Sequence, residues 1–132
     1  MSVAPGVPSS RGRLWAGRVL SALPVLMMLM SAVMKFMKPA PVVETFISKL
    51  GYPESTLVPI GVVELACAVL YAIPQSAVLG AVLVTGYLGG AIATHVRVGD
   101  PFIPPLVLGV LAWAGLYLRD ERLRALLPLR KP

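Results

Sequence analysis

The chain has 132 residues, 57% of them hydrophobic and 14% charged, with a mean hydropathy of +0.80. A soluble domain carries about 45–50% apolar and about 25% charged residues, so this composition excludes an ordinary soluble domain and points to an integral membrane protein. The 12 Lys and Arg outnumber the 6 Asp and Glu, but they gather at the ends of apolar runs, where they set membrane topology rather than bind nucleic acid.

In chain order, the first ten residues, with Pro5, Gly6, Pro8 and three serines, have nothing to bury, and residues 1–13 are expected to form a disordered tail. The first apolar run, 19–33, is broken only by Pro24 and two serines, preceded by Arg11, Arg13 and Arg18 and followed by Lys35 and Lys38. A signal peptide has the same charge order. Here Met34-Lys35-Phe36-Met37-Lys38 stands where small residues mark a cleavage site, so the run is expected to be a retained helix over about 17–38. In the segment 39–51, Val42, Val43, Phe46, Ile47 and Leu50 recur at helical spacing with Glu44, Ser48 and Lys49 opposite. With Pro41 suited to a helix start and Gly51 to an end, this predicts a short amphipathic helix at the interface or over the bundle mouth. The second run, 57–73, stops at Pro74, and Pro74-Gln75-Ser76 is so short a turn that the helices it joins must be antiparallel neighbours. A third helix is predicted over 76–95, a tight polar loop from His95 to Pro101, and a fourth helix over 102–118. Each run supplies about 15–20 residues, enough for a hydrocarbon core of about 30 Å. The predicted fold is all-α, an integral membrane four-helix bundle over 14–120 with a short amphipathic helix between helices 1 and 2, followed by a basic cytoplasmic tail over 121–132.

With a cytoplasmic amino terminus, eight basic residues lie inside (Arg11, Arg13, Arg18, Arg119, Arg122, Arg124, Arg130, Lys131) and four outside (Lys35, Lys38, Lys49, Arg97). Both termini are therefore predicted cytoplasmic. Lipid tails are as apolar as leucine, so helix association needs close packing. In the third helix Ala77, Ala81, Thr85, Gly89 and Ala93 follow a four-residue spacing, with Gly86, Gly90 and Thr94 in an adjacent row. These rows predict that the third helix sits at the centre of the packing, with a homodimer seam as the lesser option.

Glu64 lies deep in the second run, seven positions from Leu57 and nine from Ile73. There it must be paired, protonated or hydrated, and must face the interior. It is the first candidate catalytic residue, as a proton-carrying or ligand-binding carboxyl; a buried clamp between helices is the competing reading. His95, the one histidine, ends the third helix near Arg97 and Asp100 and is the second catalytic candidate, against an interfacial capping role. Lys35, Arg97 and Asp100 are candidate ligand-binding residues in the outer half of the membrane, where Lys35 either snorkels to the interface or turns inward. Cys67 excludes an intrachain disulfide and reads as a small hydrophobe. Met27, Met30, Met34 and Met37 form a stripe that would suit Cu(I), but without a companion Cys or His motif on that helix they read as apolar surface. No metal or nucleotide site is expected; Gly86-Tyr87-Leu88-Gly89-Gly90 lies inside an apolar helix, unlike a phosphate loop.

These residues resemble the DoxX-like family of small four-helix bacterial membrane proteins. The matching features are Met34-Lys35-Phe36, the Leu-Gly-Tyr-Pro turn from Leu50 to Pro53, Gly61-Val62-Val63-Glu64-Leu65, and Gly90-Ala91-Ile92-Ala93-Thr94-His95-Val96-Arg97-Val98-Gly99-Asp100-Pro101. The resemblance implies a four-helix fold in the bacterial inner membrane, with Lys35, Glu64 and His95 as its polar positions. Some DoxX relatives are subunits of a thiosulfate:quinone oxidoreductase. Three functions are open: a subunit of a redox assembly with Glu64 and His95 lining a pocket for a quinone or another lipid-soluble molecule, a membrane isomerase or cyclase with Glu64 as proton donor, or a non-catalytic membrane partner. The partners implied are the lipid bilayer and, for the first function, further subunits of a redox complex.

Overall fold

The computed structural model describes residues 10–130 and is all-helical, with no strand among the described residues. Most of the expected amino-terminal tail, 1–9, and the end of the basic tail, 131–132, lie outside the described residues. Residues 11–13, also expected in that tail, instead form the first turn of α1 (Arg11–Met37). The cause is local: Ser10 Oγ accepts the Arg13 N–H at 3.2 Å, satisfying one of the donors a helix start leaves unpaired. α1 ends where Lys38 takes a left-handed conformation (φ 52°), its N–H on the Met34 carbonyl, and Pro39 follows.

α2 (Ala40–Glu44) has Pro41 in its first turn and runs on into a π-helical turn, Thr45–Lys49. Its wider closure, Leu50 N to Thr45 O at 2.9 Å, changes which residues share a face. Phe46 and Leu50 are buried with Leu57, against Val42 and Val43, while Ile47, expected on the same face, is exposed.

α3 (Leu57–Ala72) and α4 (Ala77–Arg97) are joined by one tight turn, Pro74–Ser76. Ser76 Oγ donates to the Leu70 carbonyl at 2.8 Å, closing the end of α3. α5 (Ile103–Arg119) starts with prolines in its first turn, where a missing N–H costs nothing. The basic segment after it is not an extended tail: Asp120 accepts from Arg122 N and Leu123 N to start α6 (Glu121–Leu126). Arg124 Nη1 donates to the Tyr117 and Leu118 carbonyls at 2.7 and 3.0 Å, so a cation closes the negative end of α5.

α1 and α4 each pack on both α3 and α5, which places α1 and α4 diagonally across the assembly. The core between them includes Met28, Tyr71, Ala81, Val84, Leu88, Ala112 and Leu116. The polarity is inverted relative to a water-soluble protein. Ser21, Lys35, Glu64 and Thr94 are buried, whereas Leu26, Met30, Val62, Leu79 and Val110 are exposed. The methionines of the stripe, Met27, Met30, Met34 and Met37, are all exposed. α1, α3 with its preceding turn and α4 with its preceding turn are each long and apolar enough to cross a membrane. α5 is shorter, 17 residues, a rise of about 25 Å.

The expectation that the small rows of α4 centre the packing is corrected. Ala77 and Ala81 are buried, and Gly80 lies so close to α3 that a Cβ there would collide with the Leu70 and Tyr71 backbone. A Cβ on Gly86, Gly89 or Gly90, however, would meet no neighbouring element within 4 Å. The most extensive helix contact is instead between α1 and α5. A Cβ on Gly17 would stand 2.8 Å from the Gly115 carbonyl, and one on Gly115 would strike Ser21. Small residues permit close approach without requiring it, and the far half of α4 borders open space.

Candidate functional site

Gly86 and Gly90 border a cavity of about 590 Å³ reached by all four long helices. Its polar wall begins on α3. Glu64 sits one helical turn after Gly61, where a Cβ would stand 3.2 Å from Lys35 Cβ and 3.0 Å from the Phe36 ring. The bare glycine lets α1 approach closely enough for Lys35 to reach across. Lys35 Nζ lies 3.0 Å from Glu64 Oε1 and 2.7 Å from Ser31 Oγ, one turn back on its own helix. Lys35 is 9% exposed and Glu64 4%. Of the two courses open to Lys35, it takes the inward one. An isolated ion here would cost several kcal/mol, and each charge is compensated by the other. Across the cavity on α4, the Tyr87 hydroxyl interacts with the Glu64 carboxylate.

The remaining wall is apolar, with Met28, Ile60, Leu88 and Leu108 among its residues. At the end near the α2 segment, Phe46, Tyr52, Thr94 and His95 border it. Thr94 Oγ1 donates to the Gly90 carbonyl at 2.9 Å, which leaves Tyr52 as donor in the 2.7 Å contact between the two hydroxyls. The rings of Phe46 and Tyr52 lie 5.1 Å apart, and Lys35 Nζ lies 5.9 Å from the Phe46 centroid. His95 Nδ1 is 2.6 Å from the Ala91 carbonyl. A carbonyl can only accept, so Nδ1 carries a proton, and Nε2 is the nitrogen turned toward Asp100 Oδ2, 3.9 Å away.

Lys35, Glu64 and His95 thus border one cavity, whereas Arg97 and Asp100 do not line it. Arg97 Nη2 donates to the Leu50 carbonyl at 2.6 Å and its guanidinium stands 5.8 Å from the Tyr52 ring centroid. Asp100 pairs with Lys49 at 2.9 Å and stands 3.9 Å from His95 Nε2. Both hold the α2 segment against the end of α4, so they shape the cavity mouth from behind. Among the described residues no group of three His, Cys, Asp or Glu side chains could hold a metal ion.

Sequence reasoning missed Ser31, Tyr52, Tyr87 and Thr94. Ser31 had a signal, standing four residues before Lys35 on the same helical face. Tyr52 and Thr94 lie inside the quoted motifs but gave no sign that they meet each other. For Tyr87 the only signal is an aromatic with a polar tip in an apolar helix, which needs a partner when buried.

An apolar cavity of this size falls within the range of small-molecule sites, about 300–1,000 Å³. An ion pair, two phenols and an imidazole on its wall suit a lipophilic molecule with a hydrogen-bonding head. No curated protein and no solved structure matches the chain. The sequence profile of the DoxX-like family matches residues 19–115, a stretch that contains the Lys35–Glu64 pair and the whole cavity wall; the chain belongs to the DoxX-like family.

Proposed function

We propose that the four long helices form a bundle inserted in the bacterial inner membrane, with both termini cytoplasmic, and that the cavity holds a small lipophilic molecule with a carbonyl or hydroxyl head. A quinone is the first candidate. The observation that carries this reading is the Lys35–Glu64 pair, 3.0 Å apart, on the wall of a cavity otherwise lined mostly by apolar side chains. A pair serving only to join α1 to α3 has no need of an adjacent cavity. The apolar exterior supports the membrane assignment, because a soluble monomer rarely exposes so much contiguous apolar surface.

A quinone ring offers two carbonyl acceptors. The Lys35 ammonium is a donor, the Tyr87 phenol becomes one when it turns from the Glu64 carboxylate, and His95 Nε2 becomes one when the ring is protonated. Electrons for such a quinone would come from a partner subunit, which makes the chain one part of a redox assembly. The reading of Glu64 as proton donor in an isomerase is weaker. In the ion pair Glu64 is a carboxylate and has no proton to give until the pair is broken.

The test is purification in lipid nanodiscs without harsh detergent, then extraction and mass spectrometry of the retained lipophilic molecules. The wild-type chain is expected to keep a quinone in stoichiometric amount, and Lys35→Met and Tyr87→Phe to lose most of it. An extract holding nothing but bulk phospholipid would overturn the binding assignment.

A further inference from the structure

A second polar recess, of about 420 Å³, lies at the opposite end of the helices, where α1 starts and α5 ends, and no part of the function above uses it. Arg18 and Ser21 of α1, Tyr71 of α3 and Arg119 of α5 border it. Tyr71 Oη is 2.6 Å from the Ala112 carbonyl and 2.9 Å from Ser21 Oγ. The phenol has one proton and the carbonyl can only accept, so Tyr71 donates to Ala112 and Ser21 donates to Tyr71. Ser21 Oγ in turn accepts Arg119 Nε–H at 3.0 Å. This chain fixes the Arg119 guanidinium, 5.4 Å from the Tyr71 ring centroid, and engages only its Nε.

Arg18 makes a cation–π contact with Trp15 at 5.5 Å. Among the described residues neither arginine has a carboxylate within salt-bridge distance. The acid beside them in sequence, Asp120, is engaged in capping α6. Two guanidiniums on one recess repel each other, and the electrostatics favour an anion shared between them. Arginine's planar donors match phosphate oxygens in pairs. The recess also has apolar walls, Leu14 and Val25, and lies toward the start of α1 and the ends of α3 and α5.

We propose that this recess binds the phosphate of an anionic phospholipid headgroup, with Arg18 and Arg119 on the phosphate oxygens and the first part of an acyl chain against Leu14 and Val25. The inference rests on the membrane reading of the helices and is independent of what fills the Lys35–Glu64 cavity.

The test is thermal unfolding of the full chain in detergent, titrated with phosphatidylglycerol, phosphatidylcholine or inorganic phosphate. Phosphatidylglycerol is expected to raise the midpoint, with phosphatidylcholine and inorganic phosphate much weaker. Arg18→Gln and Arg119→Gln should each raise the half-maximal phosphatidylglycerol concentration about tenfold or more, the loss of a charged hydrogen-bonding group. Arg119→Gln also removes the bond to Ser21; Arg18→Gln leaves that network whole and keeps the test decisive if Arg119→Gln fails to fold. Arg122→Gln, which removes the same charge outside the recess, should titrate like the wild type. An equal loss in Arg122→Gln, or an unchanged response in Arg18→Gln, would overturn the site in favour of diffuse surface charge. An equal midpoint rise with inorganic phosphate would overturn the lipid as ligand in favour of a soluble anion. Failure of the quinone assignment would leave all of these outcomes unaffected.

Discussion

Lys35 and Glu64 stand 29 residues apart in the chain and meet at 3.0 Å, across the one place where α3 presents a bare glycine, Gly61, to α1. The pair is therefore both a tether between two helices and the polar wall of a cavity. The two roles differ in what they require of each partner.

The partners are expected to respond unequally to substitution. Glu64 lies in the middle of α3 and is 4% exposed, so Lys35→Met leaves a carboxylate that must take up a proton or stand uncompensated. A loss of about 3–5 kcal/mol is expected, as for other broken buried pairs. Lys35 lies near the end of α1 and can swing its ammonium to the interface once its partner is gone, so Glu64→Gln should cost clearly less. The double variant Lys35→Met/Glu64→Leu should recover most of the stability. Unfolding midpoints of the three variants in one detergent measure this; equal costs for the two single changes would show that Glu64 is hydrated.

Gly115 and Gly80 are the glycines at which an added Cβ would come closest to a neighbouring helix. Gly115→Ala drives a methyl into Ser21 and toward the Gly17 carbonyl, and Gly80→Ala drives one into the Tyr71 backbone. Each should destabilise by about 1–3 kcal/mol or more, since backbone cannot yield as a side-chain tip can. Gly89→Leu, at a position with open space around it, should leave the unfolding midpoint almost unchanged. Loss of stability in Gly89→Leu with none in Gly115→Ala would reverse the packing order described for α4 and α1.

The helices were legible in the sequence because apolar runs bounded by Pro, Gly and basic residues are a one-dimensional signal. Glu64 was legible because its burial is costly wherever the bundle places it. The partner that settles its charge was legible only as an alternative, since Lys35 at a helix end reads equally well as snorkelling outward. The role of α4 was misread because a row of small residues reports what a helix can do, and Gly86, Gly89 and Gly90 make no close approach. The contacts of Tyr52 with Thr94 and of Tyr71 with Ser21 join residues 42 and 50 positions apart, and nothing local announces either. The start of α6 at Asp120 was legible in principle, as an acidic cap before a helical stretch, but the basic charge of the segment drew the reading toward a tail.

The proposed topology rests on the charge count, eight basic residues on the side of the termini against four on the other. Reporter fusions after Pro132 should be active only for a cytoplasmic reporter, and fusions in the loop after Arg97 only for a periplasmic one. Reversed activity would place the Lys35–Glu64 cavity in the cytoplasmic half of the membrane, and the arginine recess in the outer half.

Gly90 separates the binding role of the cavity from its structural role. It borders the cavity, and a Cβ there would meet no other element within 4 Å, so Gly90→Leu is expected to add apolar volume at the cavity edge without compressing a helix contact. It leaves the Lys35–Glu64 pair in place and keeps the backbone carbonyl that Thr94 uses. If the cavity holds a lipophilic molecule, Gly90→Leu should fold with an unchanged midpoint when stripped of ligand and yet retain several-fold less of the molecule on purification. Tyr87→Phe should act through a different contact, removing a hydrogen-bonding group while leaving cavity volume almost the same, so its loss should track the ligand's polar head rather than its size. Titrating a short-chain quinone against both variants distinguishes these effects. Wild-type affinity in both would mean that the occupied part of the molecule lies elsewhere and that the Lys35–Glu64 pair serves only to join α1 to α3.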